Sequence, residues 1–334
     1  MRVGRLADYH PRMAYLLGTV RGLDACSSPR GTFTVLALDH RQNLRKELRP
    51  GDPTSVTTDE MVAFKRAVVR QLATAGTGIL LDPEIGVAPA IADGSLPGRA
   101  GLIVAVEATG YDGPPGARVS RVLPGWGVDK VKRLGASAVK LLVYYNPDAP
   151  NAADQERLVA DVAAECRVAD LALFLEPLSF GLDGGKLTGD ARRGVVIETA
   201  RRLTALGADV LKAEFPYDAS VDDAGAWRDA CAELDAATPV PWVLLSGGVD
   251  DATFERQVAV ACRAGASGVL VGRSVWADAA TMAPAARDAF LATTGRERLG
   301  RLAAMVDELG APWRERWTAA RQPEPAAPGW YERY

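Results

Sequence analysis

The stretch ADVLKAEFPYD, residues 208–218, contains the pattern that the rest of the chain repeats. It follows a helix-like segment that ends near Gly207, and glycine is the residue that most often terminates a helix. The run from Asp209 to Glu214 is apolar apart from Lys212 until its polar end, which is typical of a strand buried on both faces. The stretch therefore predicts one repeating unit, which consists of a helix, a buried strand and a polar strand end.

Seven further apolar runs have strand length, and apolar residues at helical spacing separate most of them. With 209–214, the predicted strands are residues 33–39, 78–82, 102–107, 138–143, 171–176, 241–246 and 268–272. The predicted helices between them include 58–74, 153–170, 191–206, 222–237 and 250–264. Eight such units most simply close into a (β/α)8 barrel. An open doubly wound sheet is the alternative, and the lack of a Gly-x-Gly-x-x-Gly motif after the first strand weakens it.

The same pattern predicts three parts of the chain. Residues 1–30 form an N-terminal extension, residues 31–280 form the barrel, and residues 281–334 form a C-terminal tail. The tail starts with a helical pattern that extends to about residue 309 and ends in a proline-rich segment. We expect this helical tail to pack on the barrel.

Composition excludes several classes of function. The chain has 334 residues and a net charge of −3, with no long basic run, which disfavours binding to nucleic acid or to a membrane surface. Its apolar runs are far shorter than the ~20 residues of a membrane-spanning helix, and no signal peptide is evident. We expect a cytoplasmic protein, and a symmetric homo-oligomer is the reasonable prior.

Only two histidines and four widely spaced cysteines are present, which argues against a zinc site. No metal or cofactor is therefore expected. Proton transfer would fall to carboxylates, lysines or tyrosine.

Polar residues follow the predicted strands at the end where a barrel of this type carries its active site. In strand order they are Asp39, His40 and Arg41; Asp82 and Glu84; Glu107; Lys140; Glu176; Lys212 and Glu214; Ser246, Gly247 and Gly248; Gly272 and Arg273.

Two of these residues, Lys140 and Lys212, lie within apolar strands, where lysine is rare unless paired or functional. Because side chains alternate along a strand, Lys212 shares a face with Val210 and Glu214, which we predict to be the barrel interior. Two ammonium groups facing one interior would repel each other, and such repulsion lowers the pKa of a lysine and favours its neutral form. A neutral lysine attacks carbonyl groups and forms a Schiff base. The alternative is a structural ion pair with Glu176 or Glu214.

A second pattern indicates a phosphorylated ligand. Glycine clusters end strands 7 and 8, at Ser246-Gly247-Gly248 and at Gly272-Arg273, and a predicted helix follows each. Loops at these two positions form phosphate sites in such barrels. Backbone N–H groups and the helix N-termini would face the anion, and Arg273 would bind it in a fork.

The motifs LALD (36–39), AVKLLVYYNPD (138–148), FLEPLSF (174–180), DVLKAEFP (209–216), LLSGGVDDATF (244–254) and GVLVGRSVW (268–276) occur in this order. In this the chain resembles the class I aldolases related to tagatose 1,6-bisphosphate aldolase, a group that includes the sulfofructose-phosphate aldolases. The resemblance covers residues 31–280. It implies a (β/α)8 barrel that cleaves a ketose 1-phosphate or 1,6-bisphosphate to dihydroxyacetone phosphate and an aldehyde.

The resemblance also implies roles for residues. Lys212 would form the Schiff base and Glu176 would shuttle protons. Asp39 and Lys140 would hold substrate hydroxyls and tune Lys212. The glycine clusters, Ser246 and Arg273 would bind phosphate.

The chain departs from the family pattern at His40, where a glutamine usually follows the strand 1 aspartate. His40 would bind a hydroxyl or a second anionic group, transfer protons near pH 7, or act only as a supporting hydrogen-bonding residue. Segments 95–100 and 111–118 match no family motif, so Arg99, Arg118 or Arg41 are candidates to bind the aldehyde end. Tyr144 and Tyr145 would assist catalysis or simply pack at the strand end.

Two other functions stay open from the sequence. A phosphosugar isomerase or epimerase would explain the phosphate pattern but not Lys212. A regulator that binds a sugar phosphate would also need the pocket, but it would have no need of a nucleophile.

Overall fold

Eight parallel strands close into a barrel in chain order, with β8 paired to β1. This is a computed structural model, and it describes residues 16–317, 328–332 and 334. The strands are β1 (Phe33–Leu38), β2 (Gly78–Leu81), β3 (Gly101–Ala105), β4 (Ala138–Tyr145), β5 (Ala172–Ser179), β6 (Val210–Ala213), β7 (Trp242–Leu245) and β8 (Gly268–Val271). The (β/α)8 prediction is confirmed, and the open sheet is excluded.

Helices surround the barrel. Those of the described residues are α1 (Leu17–Cys26), α2 (Gln42–Leu48), α3 (Thr58–Leu72), α4 (Val87–Ala92), α5 (Val128–Leu134), α6 (Ala152–Ala169), α7 (Gly189–Thr204), α8 (Ala224–Ala237), α9 (Asp251–Arg263), α10 (Arg273–Trp276), α11 (Pro284–Phe290) and α12 (Arg296–Leu309). The start of α3 is fixed by a capping box. The Thr57 hydroxyl accepts from the Glu60 amide, and the Glu60 carboxylate accepts from the Thr57 amide at 2.7 Å.

β4 and β5 extend further than the sequence predicted. They pair over eight positions, from Ala138 opposite Ala172 to Tyr145 opposite Ser179. The predicted ends at residues 143 and 176 were placed where the apolar runs stop. The residues beyond them, Tyr144 and Tyr145 on β4 and Pro177, Leu178 and Ser179 on β5, continue the pairing of the two strands.

The apolar core has two layers. An outer layer fills the space between strands and helices, and a separate cluster fills the barrel interior. The interior cluster contains Phe33, Val35, Ala37, Leu80, Ile103, Ala105, Ala138, Ala172, Phe174, Val210, Val243 and Leu270. Leu23, Cys26, Trp313 and Trp317 join it. We call Leu23, Cys26, Trp313 and Trp317 the basal plug. Leu23 and Cys26 belong to α1, which packs against β2–β5 and covers the N-terminal ends of the strands.

The C-terminal helix α12 packs on β1 and α9. Its residues Leu299, Leu302 and Val306 are completely buried in the outer layer. The tail therefore contains a helix packed on the barrel, while the division at residue 280 stays a prediction. The N-terminal residues 1–15, with His10, and most of the proline-rich end lie outside the described residues.

No helix among the described residues is long and apolar enough to cross a membrane. The four cysteines are free and buried, and burial raises the pKa of the Cys231 thiol to about 12.

Candidate active site

A ring of charged side chains lies directly above the apolar interior. Each charged residue is two positions beyond an interior apolar residue on the same strand: Lys212 follows Val210, Glu176 follows Phe174, and Lys140 follows Ala138. Since alternate residues point to the same face, these side chains project into the barrel. The predicted interior orientation of both lysines is confirmed.

Lys140 lies at the centre of three carboxylates. Its ammonium is 2.6 Å from Glu107, 2.7 Å from Asp39 and 2.8 Å from Glu176, and the side chain has no solvent exposure. Burial alone would lower the pKa of Lys140, but these three negative charges outweigh it and hold the pKa well above its usual value. The expectation that repulsion lowers the pKa is therefore wrong for Lys140. Lys140 therefore stays protonated near neutral pH and cannot act as a base there.

Within the described residues, Lys212 forms an ion pair with one carboxylate oxygen. Its ammonium lies 2.7 Å from Oε1 of Glu176, whose other oxygen faces Lys140. Burial acts to raise the pKa of Glu176, but the ammonium groups of Lys140 and Lys212 outweigh it, so that pKa lies below its usual value. Glu176 is thus an ionised carboxylate shared by both lysines.

Asp39 follows β1 and approaches the same cluster. Its pKa lies well below the usual value, because Lys140 and Lys212 together outweigh the effect of burial. The four residues that the sequence predicted to be catalytic (Asp39, Lys140, Glu176 and Lys212) therefore form one connected ion-pair cluster, as the shared edge of a parallel barrel requires.

Glu107 is part of this cluster and was not among the predicted catalytic residues. It holds the Lys140 ammonium with one oxygen and accepts from the Leu142 amide at 3.1 Å with the other. Its place at the end of the third predicted strand was the available signal.

Arg41 lies beside Glu107 at the cavity wall. Its guanidinium donates to Glu84 at 2.6 Å and to the carbonyl oxygen of Glu107 at 3.0 Å. Arg41 also lines the cavity, and its predicted contact with the substrate stays a prediction.

His40 lines the same cavity, and its ring packs edge-on against Trp276 with centroids 5.2 Å apart. Burial lowers the pKa of His40 to about 4, and the nearby Asp39 carboxylate only partly offsets this. The imidazole is therefore neutral at pH 7, which disfavours the alternative that it transfers protons near that pH and favours a hydrogen-bonding role. A neutral side chain with one donor and one acceptor resembles the glutamine of the family pattern.

A cavity of about 960 Å³ opens above the charged cluster and reaches the loops after β7 and β8. Ser246, Gly247, Gly272 and Arg273 line it, so the structure brings the predicted phosphate-binding residues to the predicted place. We call Ser246, Gly247, Gly248, Gly272 and Arg273 the phosphate cradle.

Two glycines of the cradle have a structural reason, Gly272 in close packing and Gly248 mainly in its backbone conformation. A Cβ atom at Gly272 would lie 2.9 Å from the carbonyl oxygen of Ala37, and one at Gly248 would lie 3.2 Å from the guanidinium of Arg273. Gly248 also has a positive φ of 82°. Arg273 itself is only loosely paired, with Glu47 at 3.5 Å.

The helix that follows β7 has an N-terminal cap. Asp250 caps α9, its carboxylate accepting from the Thr253 amide at 2.9 Å. The cap satisfies one of the four free amides of the first turn, and the contribution of α9 to an anion site stays a prediction.

Of the four remaining candidates, the structure places two at the cavity and two away from it. Tyr144 lines the cavity, whereas Tyr145 is buried in the outer core and its hydroxyl donates to Glu156. Arg118 lines the cavity, whereas the exposed Arg99 precedes β3 at the opposite end of the barrel. Tyr145 and Arg99 are therefore not site residues.

Lys65 of α3, which was not among the predicted site residues, is also buried. It pairs with the buried Asp82 behind the cluster. Within the described parts of the chain, no group of three or more His, Cys, Asp or Glu side chains is arranged to hold a metal ion.

Comparison with known proteins identifies the family of the chain. The model of the DeoC/LacD family of aldolases matches residues 33–278. The chain belongs to this aldolase family. The resemblance to class I aldolases related to tagatose 1,6-bisphosphate aldolase is thereby confirmed, and the protein is an aldolase, an enzyme of the lyase class.

Relatives of this DeoC/LacD aldolase include a tagatose 1,6-diphosphate aldolase of Listeria monocytogenes serotype 4a (strain HCC23). It is 30% identical over 331 residues, which cover 90% of this chain and 94% of the relative. Tagatose 1,6-diphosphate aldolase 2 of Streptococcus pyogenes serotype M3 (strain MGAS315) is 29% identical, with coverages of 86% and 94%.

Solved aldolases share the fold. An archaeal fructose 1,6-bisphosphate aldolase superimposes with a TM-score of 0.59 at 23% identity, covering 86% of this chain and 98% of that protein. The Plasmodium falciparum fructose-bisphosphate aldolase gives a TM-score of 0.67 at 13% identity, with coverages of 89% and 96%.

Proposed function

We propose that this DeoC/LacD aldolase is a Schiff-base enzyme that cleaves a ketose 1-phosphate or 1,6-bisphosphate to dihydroxyacetone phosphate and an aldehyde. The observation that carries the proposal is the contact of Lys212 with Glu176 at 2.7 Å, inside the barrel and at the wall of a large cavity. A buried lysine next to a carboxylate has a nearby acceptor for its proton, which a nucleophilic amine must lose.

The first step forms the Schiff base. Lys212 transfers a proton to Glu176, and the neutral amine attacks the C2 carbonyl carbon of the ketose. The resulting carbinolamine loses water, with Glu176 returning the proton to the departing oxygen. Lys140, which remains charged, keeps the site positive enough to hold Glu176 ionised before the reaction.

The second step breaks the C3–C4 bond. Glu176, directly or through a water or the substrate phosphate, takes the proton of the C4 hydroxyl, and the aldehyde forms. The electron pair of the broken bond moves to C3 and into the iminium, giving an enamine. Protonation at C3 and hydrolysis then release dihydroxyacetone phosphate and regenerate Lys212. This route needs no metal or other cofactor.

The phosphate cradle supports a phosphorylated substrate. Arg273 and the loop amides lie at the ends of β7 and β8, next to β6, which carries Lys212. The C1 phosphate would sit in the cradle and place C2 near the Lys212 amine. Asp39 and His40, at the end of β1, would bind the substrate hydroxyls.

The substrate class follows from the relatives, whose names specify tagatose 1,6-diphosphate. A tagatose-bisphosphate-like ketose is therefore the first candidate. A 6-deoxy-6-sulfofructose 1-phosphate is the second, since it has the same C1 phosphate and a different anion at C6.

The test is borohydride trapping with dihydroxyacetone phosphate, measured by intact mass and peptide mapping. We expect a stable adduct on Lys212 in the native protein and none in Lys212→Arg, because a guanidinium does not form a Schiff base. Lys186→Arg is the matched control: Lys186 also lines the cavity, on the loop after β5, and its loss should leave the adduct intact.

An adduct that persists in Lys212→Arg would assign the chemistry to another lysine. If no adduct forms while a known class I aldolase is labelled in parallel, the proposed mechanism is wrong. The isomerase and regulator alternatives would then have to be tested by turnover of the same ketose phosphates.

A further inference from the structure

A β-hairpin after β3 forms one wall of the cavity and was not predicted. Its arms pair antiparallel at Glu107 with Val122 and at Asp112 with Val119. The Leu123 amide donates to the Val106 carbonyl at 2.8 Å and closes its base. We call residues 106–123 the hairpin. Arg118, near its tip, lines the cavity.

Three aromatic rings surround the Arg118 guanidinium. Its central carbon lies 4.7 Å from the ring centre of Tyr111, 4.8 Å from that of Phe180 and 5.5 Å from that of Tyr144. Such rings attract a cation and restrict its motion. Nε donates to the Pro115 carbonyl at 3.0 Å and one terminal nitrogen donates to the Gly184 carbonyl at 3.1 Å. The guanidinium is therefore held in place, and it has five N–H donors in all.

Arg118 differs in its charge partners from other arginines at the cavity wall. Arg41 is paired with Glu84 at 2.6 Å, and Arg192 is paired with Glu214 at 3.0 Å. Among the described residues, no carboxylate lies within 4 Å of the Arg118 guanidinium. Its positive charge is thus balanced by neutral carbonyls and rings alone, and is available to an anion in the cavity.

The position of Arg118 complements the phosphate cradle. The strands follow one another around the barrel, so the β3–β5 side, which carries the hairpin, lies opposite β7 and β8, which carry the cradle. The charged cluster lies between the two. Tyr144 lies near both Arg118 and the charged cluster. Burial raises the pKa of its phenol, and the charges of Arg118, Glu176 and Lys140 also affect that pKa.

The hairpin is fixed rather than free to move. The Ser120 hydroxyl accepts from the Tyr144 amide at 2.8 Å, and the Ser120 amide donates to Gln155 at 2.9 Å. The carbonyl of Arg118 itself accepts from Asn151 at 2.8 Å. At the tip, a Cβ atom on Gly116 would lie 2.0 Å from the Leu182 carbonyl, so the hairpin packs directly on the loop after β5. A preorganised donor loses little entropy on binding.

We infer that Arg118 binds the anionic group at the end of the substrate opposite the C1 phosphate, and so selects ketoses with a phosphate or a sulfonate at C6. This inference rests on the proposed function, because it assumes that the C1 phosphate occupies the cradle. Both anions present oxygens that match the donors of a guanidinium.

The test compares Arg118→Met with the native enzyme on three substrates: tagatose 1,6-bisphosphate, 6-deoxy-6-sulfofructose 1-phosphate and tagatose 1-phosphate. Methionine keeps apolar bulk beside the rings and removes the charge. The native enzyme will use one or both of the substrates that carry an anion at C6. For that substrate we expect Arg118→Met to raise KM by about 10- to 100-fold, because charge-assisted hydrogen bonds are lost. The kcat, and the KM for tagatose 1-phosphate, should change less than about 3-fold. The preferred anion distinguishes phosphate from sulfonate.

Arg99→Met is the matched control, since it removes an arginine from the opposite end of the barrel and should change none of these constants. An equal loss on all three substrates, or a change in kcat alone, would show that Arg118 only holds the hairpin and would overturn the inference. Borohydride trapping on Lys212 reports the Schiff-base chemistry separately. A normal adduct in Arg118→Met with unselective kinetics would sink the inference while leaving the proposed function in place.

Discussion

At the scale of single residues, Glu176 links the two lysines that the sequence singled out. One of its oxygens faces Lys212 and the other faces Lys140. Only Lys140 is surrounded by three carboxylates, so the two lysines differ in the number of negative charges around them. That difference supports the separate roles that we propose for them, a fixed charge for Lys140 and a nucleophile for Lys212, although both occupy similar positions in apolar strands.

His40 provides a prediction about pH and stability. Its pKa is about 4 in the folded protein and 6.5 as the ordinary value, so the unfolded chain binds the extra proton between these pH values. The contribution of the neutral His40 to the free energy of unfolding is therefore fully present above pH 6.5, and it is lost as the pH falls toward 4. From pH 7 to pH 5 we expect His40 to account for a loss of about 1 to 2 kcal/mol in the free energy of unfolding. Urea unfolding at both pH values measures it.

His40→Gln is the matched variant, because glutamine keeps one donor and one acceptor without titrating. The groups that face His40 (Asp39, Arg273, Lys65 and Lys212) stay in place, so their own titration is common to both proteins. The variant should lose less stability than the native protein between pH 7 and pH 5. Equal losses in the two proteins would contradict the assignment of a neutral buried imidazole.

At the scale of elements, the basal plug and the charged cluster occupy opposite ends of the barrel interior. Leu23 of α1 is completely buried in the plug. We expect Leu23→Ala to lower the free energy of unfolding by about 2 to 5 kcal/mol, because it leaves a cavity in close-packed surroundings. The activity per folded molecule should stay unchanged, since the plug does not contact the cluster.

Urea unfolding and an active-site titration of the same samples measure both quantities. Val168→Ala on α6 is the control for losing apolar atoms, because that side chain is 78% exposed and its loss should cost little. Reduced activity per folded Leu23→Ala molecule would show that the plug and the cluster are coupled.

Elements with a strong periodic pattern were predictable from the sequence, and those held by tertiary contacts were not. Each of the eight strands contains apolar residues in a run of strand length, and the helix predicted over residues 58–74 is α3. The hairpin has only two bridged pairs and contains several prolines and glycines, so it has no periodicity to detect. The capping of α9 by Asp250 likewise depends on a side-chain rotamer that the sequence does not specify.

The candidate site was predictable to a similar degree. Strand ends meet at one edge of a barrel, which brings Asp39, Glu176 and the two lysines together from strands far apart in the chain. Which carboxylate pairs with which lysine, and hence how many negative charges surround each, depends on distances of a few tenths of an ångström. That information exists only in the packed structure.

At the scale of the whole molecule, binding at the cradle should stabilise the complete barrel, since a ligand that binds only the folded state shifts unfolding. Glycerol 3-phosphate, which has a phosphate but no carbonyl, is the probe. At 100 times its Kd we expect a gain of about 2.7 kcal/mol in the free energy of unfolding. Arg273→Met should lose most of this gain and Arg99→Met should keep it, as measured by urea unfolding with and without the probe. A full gain in Arg273→Met would place the phosphate elsewhere.

The expected homo-oligomer stays a prediction, and sedimentation equilibrium of the full chain would measure the number of subunits.

The hairpin leaves the barrel at Val106 and returns at Leu123, and a single backbone hydrogen bond joins these two residues. Its two ends are therefore neighbours, so the segment beyond Glu107 can be exchanged without moving β3 or α5. A protein engineer can replace residues 108–121, keep Glu107 beside Lys140, and rebuild the contacts with Asn151 and Gln155 to test segments of other charge at the cavity wall.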